Sequence, residues 1–266
     1  MPFRQPDSRF DGPGGHSGSM THEQAPDMTD FFSQEFWDER YRSTTAVWSG
    51  NPNPHLVEQV ADVTPGSALD VGSGEAADAI WLAARGWNVT GVDVSTVALE
   101  RAAERAAAAG ADIADRTTWE QADILSWEPP ARRFDLVSAH FMHLPGSARE
   151  ALHRRLAGAV RPGGRLLVVG HHPSDLETSV GRPNVPDMLF TPEQVAAVLD
   201  AAEWEILVSA APSRERATPR AGPSPFCTRF AGPDDGLLCG HDLFRVPRPE
   251  CRDQSAETRT PWPTCS

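Results

Sequence analysis

Asp70-Val71-Gly72-Ser73-Gly74-Glu75-Ala76 closes a short apolar stretch, Ala68-Leu69, and runs straight into a helical pattern over 78–84. Glycine has no Cβ, so two glycines at a strand-to-helix turn let the backbone bend tightly and approach a ligand closely. The turn predicts a nucleotide-like cofactor lying across it. Outward from this turn the chain alternates between two periodicities. Short apolar runs over 68–71, 88–94, 117–121, 134–139, 165–169 and 205–210 read as strands. Helical patterns over 31–42, 55–63, 78–85, 96–109, 147–160 and 192–202 stand between or before them, with Ser95 and Thr191 as N-caps and Gly86 and Gly110 as stops.

Repeated β-α-β units with buried strands predict an α/β fold, a doubly wound and mostly parallel sheet with helices on both faces. A run over 237–246 supplies a seventh strand, expected to pair antiparallel with the sixth. Right-handed crossovers place the carboxyl ends of the parallel strands, and the ligand crevice, along one edge. Asp70 to Gly74, Val92 to Ser95, Asp123, His140 and Gly170 to His172 all fall on that edge. The Pro162-Gly163-Gly164 segment reads as a turn into the fifth strand. Residues 1–30 and 247–266, polar and rich in Gly, Pro or charge, are expected to be disordered, leaving one domain over 31–246.

The charge balance is −13, from 37 acidic and 24 basic residues, and the basic ones are all Arg. An acidic surface repels phosphate backbones, so nucleic acid is not an expected partner. Cys227, Cys239, Cys251 and Cys265 are too widely spaced for a zinc knuckle and read as free thiols, and no metal is expected. No apolar run approaches the ~18 residues of a membrane span, and no basic-then-apolar leader opens the sequence. A cytoplasmic protein without a membrane partner, monomeric or weakly dimeric, is the expectation.

A dinucleotide-binding turn carries G-x-G-x-x-G, but Ala77 stands where the third glycine would be. Asp70, two residues before the first glycine, suits an ammonium better than a phosphate, because a carboxylate accepts hydrogen bonds from cations. These residues point to a cationic, phosphate-free cofactor such as S-adenosylmethionine (SAM). Together with Asp93, Gln121-Ala122-Asp123, Phe134-Asp135-Leu136-Val137 and Arg161-Pro162-Gly163-Gly164, the turn resembles the class I SAM-dependent methyltransferases over residues 31–246. Phe36-Trp37-Asp38-Glu39-Arg40-Tyr41, Trp48-Ser49-Gly50 and the 180–183 loop are similar to the thiopurine/tellurite (TehB-like) branch of that class. Ala76 replaces a glycine common in the class and is small enough to leave the turn intact.

The resemblance implies a Rossmann-like methyltransferase fold with an N-terminal helical lid, and roles for individual residues. Asp93, with Val94 beside it, would take the ribose hydroxyls. Asp70, with Gly72 and Gly74, would hold the methionyl end. Asp123 and Ile124 would lie at the adenine. Trp37, Tyr41 and Trp48 would form a lid over the sulfonium or the adenine, ordinary core packing being the rival reading. His140 would contact the cofactor. His171 and His172 are the candidates to face the acceptor, because imidazole titrates near neutral pH at a place where an oxygen or nitrogen nucleophile needs a base. A soft thiol or chalcogen oxyanion would need none.

The expected function is SAM-dependent methyl transfer to a small-molecule acceptor, EC class 2.1.1. Two alternatives stand beside it: a SAM-binding protein without catalysis, and a nicotinamide-dependent oxidoreductase. The sequence does not identify the acceptor.

Overall fold

The computed structural model describes residues 30–177, 185–215 and 236–245. A 3₁₀ turn (Asp30–Phe32) leads into α1 (Gln34–Arg42), capped by the Ser33 hydroxyl, which accepts from the Phe36 amide. Then come α2 (Pro54–Val60), β1 (Ser67–Val71), α3 (Ala77–Ala83), β2 (Asn88–Asp93), α4 (Thr96–Ala109), α5 (Ala111–Ala114), β3 (Thr117–Gln121), β4 (Phe134–His140) and α6 (Gly146–Ala159). The remainder is β5 (Val160–His171), α7 (Pro192–Ala196), β6 (Glu205–Ala210), β7 (Ser213–Glu215) and β8 (Gly236–Arg245).

The main sheet runs β3-β2-β1-β4-β5-β8-β6, with the short β7 pairing to β8 beside it. The first five strands pair in parallel. β8 lies antiparallel between β5 and β6, so the expected antiparallel last strand pairs with the sixth strand and with the fifth as well. Alternate side chains of each strand feed opposite faces. Leu69, Val71, Val137, Ala139, Leu166 and Val168 pack with Leu152 and Leu156 of α6 and Val195 of α7. Ala68, Leu136, Leu167 and Val169 pack with Leu56 and Val60 of α2 and Ala79 and Leu82 of α3. Each fully buried Leu removes enough apolar surface from water to contribute about 1.5–3 kcal/mol.

Several expected boundaries shift for local reasons. Residues 161–164 do not turn into a separate strand. They bulge from a continuous β5, between the ladder pairs Phe134↔Val160 and Leu136↔Arg165, with Gly163 at φ 82°. The helix after Thr191 keeps its cap as a full capping box with Gln194, but it ends at Ala196 rather than near Ala202. There the Val198 and Leu199 amides reach back only three residues, to Val195 and Ala196, which tightens the chain out of α geometry. The short α5 after Gly110 is not signalled by any periodicity. The expected disordered segments, apart from Asp30, lie outside the described residues, as do the 180–183 loop, Cys227, Cys251 and Cys265.

His153 of α6 is buried, sits edge-on to Phe190 with centroids 5.9 Å apart, and is pushed down to about 4 by burial and by the Arg149 charge. The folded state refuses a proton that the unfolded chain takes up near pH 6.5, so this site costs stability progressively as pH falls from 6.5 towards 4. Urea unfolding of the wild type should therefore lose about 2–3 kcal/mol more between pH 7 and 4.5 than His153→Gln does, at about 1.4 kcal/mol per unit. Parallel pH curves for the two proteins would contradict this.

Candidate cofactor and methyl-transfer site

The glycine turn is held open by backbone geometry and by one carboxylate. Gly72 (φ 70°), Gly74 (φ 51°) and Ala76 (φ 68°) all lie in the left-handed region. The Gly72 and Ser73 amides both donate to the Val92 carbonyl, which ties the turn to β2. Asp93 ends β2, almost fully buried. Its Oδ2 accepts from the Gly74 amide and its Oδ1 from the Ser95 amide, each at 2.9 Å. Burial raises its carboxyl above the ordinary range. Two bonds leave a carboxylate with further acceptor sites, enough for a diol.

A Cβ on Gly74 would meet the Tyr41 hydroxyl at 2.9 Å and Trp48 Nε1 at 3.2 Å, so the two side chains lie directly over the turn. Trp48 Nε1 donates to Tyr41 Oη at 2.9 Å, and the Trp37 ring stands 6.2 Å from Tyr41 and 6.4 Å from Trp48. Tyr41 is buried, whereas half of Trp48 remains exposed. Burial and the Asp93 charge push the Tyr41 phenol far up, so it stays a neutral hydroxyl.

Two acids that the sequence reading passed over fix this lid to the sheet. Glu75, almost fully buried, accepts from the Val47 and Trp48 amides and pairs with Arg101 and Arg105. Asp38 of α1 accepts from the Ser95 hydroxyl at 2.6 Å and from the Val97 amide, which docks α1 onto the start of α4. Only their place beside recognised motif residues could have flagged them.

At the other end of the turn, Asp70 is buried, accepts from the Ser138 hydroxyl at 3.0 Å, and is raised to about 7 by burial and by the charge of Asp78. His140 Nδ1 stands 2.7 Å from Asp78 Oδ2. Met142, two residues on, lies against Gly72, where a Cβ would meet its sulfur. Its neighbour His143 stacks on His171, with centroids 4.8 Å apart and planes 8° apart, and Phe141 lies 4.9 Å from the same imidazole. The loop after β4 thus meets the glycine turn with one side chain and His171 with the next.

His171 Nδ1 is 2.9 Å from Asp175 Oδ2, and Asp175 is fully buried. Gly170 makes room for this arrangement, because a Cβ there would strike the Phe190 ring, whose residue donates its amide to the His171 carbonyl. His172 does not share the cluster. Its Nδ1 lies 2.7 Å from the Ser174 hydroxyl in a local turn, because neighbouring residues at a strand end face opposite ways.

The adenine-side candidates are less gathered. Asp123 is exposed and accepts from the Leu125 amide two residues ahead. Ile124 belongs to the core, and the Val94 carbonyl takes the Gln121 side-chain amide. They stay beside Asp93 through the bond from the Ala122 amide to the Asp93 carbonyl.

The donor set suits SAM. Asp70 and Asp93, both carboxylates, flank a bare glycine turn, which fits an ammonium and a diol and opposes a pyrophosphate. Residues 68–164 match the family model described as a methyltransferase domain. The chain carries a class I SAM-dependent methyltransferase domain.

The domain is 30% identical over 148 residues to the 2-heptyl-1-hydroxyquinolin-4(1H)-one methyltransferase of Mycobacteroides abscessus, covering 53% of this chain and 64% of that protein. It is 28% identical over 139 residues to the probable thiol methyltransferase 2 of Arabidopsis thaliana, covering 50% and 60%. TehB from Haemophilus influenzae shares the fold with a TM-score of 0.55 at 17% identity, over 80% of this chain and 66% of that one. The chain spans under two thirds of the length of the first curated relatives it matches. Among the described residues, no helix of the methyltransferase domain is long and apolar enough to cross a membrane.

Proposed function

We propose that the protein transfers the SAM methyl group to the hydroxyl of a small molecule, with His171 as the general base. The observation that carries this reading is the His171 to Asp175 contact of 2.9 Å, one loop away from the glycine turn. When bound, SAM supplies an electrophilic methyl on a sulfonium. The chain's own residues do the rest. Asp93 takes the ribose diol, Asp70 takes the ammonium, and Gly72 and Gly74 let the backbone come close. Tyr41, Trp37 and Trp48 cover the turn and exclude water, which favours an in-line transfer between aligned partners.

A hydroxyl must lose its proton as it attacks, and His171 Nε2 would receive it while Asp175 orients the ring and stabilises the imidazolium. The relative named for a hydroxyquinolinone is consistent with such an acceptor. The relative named for a thiol supports a second reading, in which the nucleophile is already anionic and needs no base. Acidic net charge and a cofactor edge lined by carboxylates favour an acceptor that is not a nucleic acid.

The test is a product screen. Purified protein with methyl-labelled SAM is offered phenols, N-hydroxy heterocycles, thiols and chalcogen oxyanions, and the products are read by mass spectrometry. Label on a hydroxyl acceptor supports the proposal. Label only on thiols or chalcogens replaces it with the second reading, and binding of SAM without any transfer favours a non-catalytic role.

A further inference from the structure

Helix α6 turns Arg149, Leu152, His153, Leu156 and Ala159 inward. The leucines and the alanine suit such a stripe, but an Arg does not, because a buried guanidinium gives up its hydration. Arg149 is nevertheless only 6% exposed. Burial works against its charge, while Asp187 and Glu150 work for it. A charge kept in such a place must be satisfied by fixed partners.

Those partners include backbone atoms of two separate segments. Arg149 Nη1 donates to the Leu144 carbonyl at 3.3 Å and to the Asp187 carbonyl at 2.8 Å. Leu144 belongs to the loop after β4, whereas Asp187 sits in the 3₁₀ turn Pro186–Met188. The Asp187 carboxylate strengthens the link, its Oδ2 accepting from the Gly146 amide at the start of α6 at 3.1 Å. Further along the same segment, the Phe190 ring centre lies 5.1 Å from the guanidinium, within cation–π range. A lysine would not serve in the same way, since its ammonium lacks both the fork and the planar face. Arg149 thus ties the β4 loop, the first turn of α6 and the 186–190 segment into one unit.

Both arms of this clasp end next to the proposed base. His143 directly precedes Leu144, and its ring stacks on His171 with centroids 4.8 Å apart. Leu144 is fully buried, which holds that arm still. On the other arm, Phe190 donates its amide to the His171 carbonyl at 3.2 Å. The Phe190 ring also fills the space over Gly170, the residue before His171. The two stacked imidazoles come from different strand ends, and Arg149 joins the backbone beside one to the segment bonded to the other.

We infer that Arg149 is a positioning residue for methyl transfer, clasping the β4 loop and the 186–190 segment so that His143 stays stacked on His171 and the base keeps its direction. This rests on the proposed role of His171 and adds what holds that side chain in place.

Two measurements on the purified full-length protein test it. The variant is Arg149→Met, which keeps an unbranched side chain in the core and gives up the donors. Histidine-ring NMR comes first and needs no acceptor. Neighbouring rings shift the His171 and His143 C–H signals, which are assigned with His171→Ala and His143→Ala. In Arg149→Met both should move towards the positions of exposed histidines, while the His140 and His172 signals stay. Unchanged His171 and His143 signals in a folded variant overturn the inference, and so does equal movement of all four rings, which means general loosening. Turnover comes second, with the hydroxyl acceptor labelled in the product screen. Arg149→Met should lower kcat about ten- to a hundredfold, the cost of a misplaced catalytic group, with SAM affinity within about twofold of wild type. In a His171→Ala background the same substitution should cost less than about twofold, because the group it positions is gone. The same fold loss in both backgrounds overturns the inference. If Arg149→Met does not fold, Phe190→Leu carries both measurements, removing the ring but sparing the two carbonyl bonds. A His171→Ala protein that turns over the hydroxyl acceptor normally sinks the base reading instead, and the ring signals separate that failure from this one.

Discussion

Replacing Asp93 by Ala should weaken SAM binding by a factor of about 10²–10⁴. A carboxylate accepting from both ribose hydroxyls makes two hydrogen bonds to a charged group, each worth about 1.5–3 kcal/mol, and about 1.4 kcal/mol is a factor of ten in affinity. The substitution also removes the acceptor of the Gly74 and Ser95 amides. Two backbone donors left unsatisfied beside the glycine turn cost roughly 1–3 kcal/mol each in stability. Asp93→Asn separates the two effects, because it keeps one acceptor oxygen for the backbone and loses the charge that the diol uses. Calorimetry and urea unfolding on the same three proteins give the answer. Asp93→Ala that melts earlier yet binds SAM with wild-type affinity would make Asp93 a structural residue only.

The second large effect is expected at His171. With a hydroxyl acceptor, His171→Ala should lower kcat by about 10²–10⁴, the usual worth of a positioned base, while SAM affinity stays as it was. Asp175→Asn should act in the same direction through the imidazole it orients. His172→Ala serves as the internal comparison. Its ring is occupied by Ser174, so it should leave kcat within a few-fold of wild type. A thiol acceptor gives a different pattern, with turnover near normal in both variants at neutral pH. The two readings of the acceptor therefore separate on one pair of substitutions.

The parts of this molecule that were legible in the sequence share a physical cause. Strands buried on both faces read as short apolar runs with countable carboxyl ends, and that pattern alone places Asp70, Asp93, His140 and His171 on one edge. The glycine turn was legible because left-handed backbone at Gly72 and Gly74 demands residues without a Cβ. Contacts across long sequence separations were not legible. The insertion of β8 between β5 and β6 depends on long-range pairs such as Arg165 with Arg245, and nothing local marks it. Glu75 reads as an ordinary turn acid, yet it is buried because Arg101 and Arg105 arrive from α4. Asp175, four residues after His171, was within reach of a spacing argument. The 3₁₀ turn Pro173–Glu177 that folds it back was not apparent from periodicity. His171 and His172 were indistinguishable as a pair of letters, and strand alternation is what parts them.

Every residue role at this site depends on the cofactor, and a single titration addresses it. Purified full-length protein is titrated in parallel with SAM and with NADH. Saturable one-to-one binding of SAM, lost in Asp93→Ala, with no heat from NADH, is the predicted result. Saturable binding of NADH without binding of SAM would contradict it.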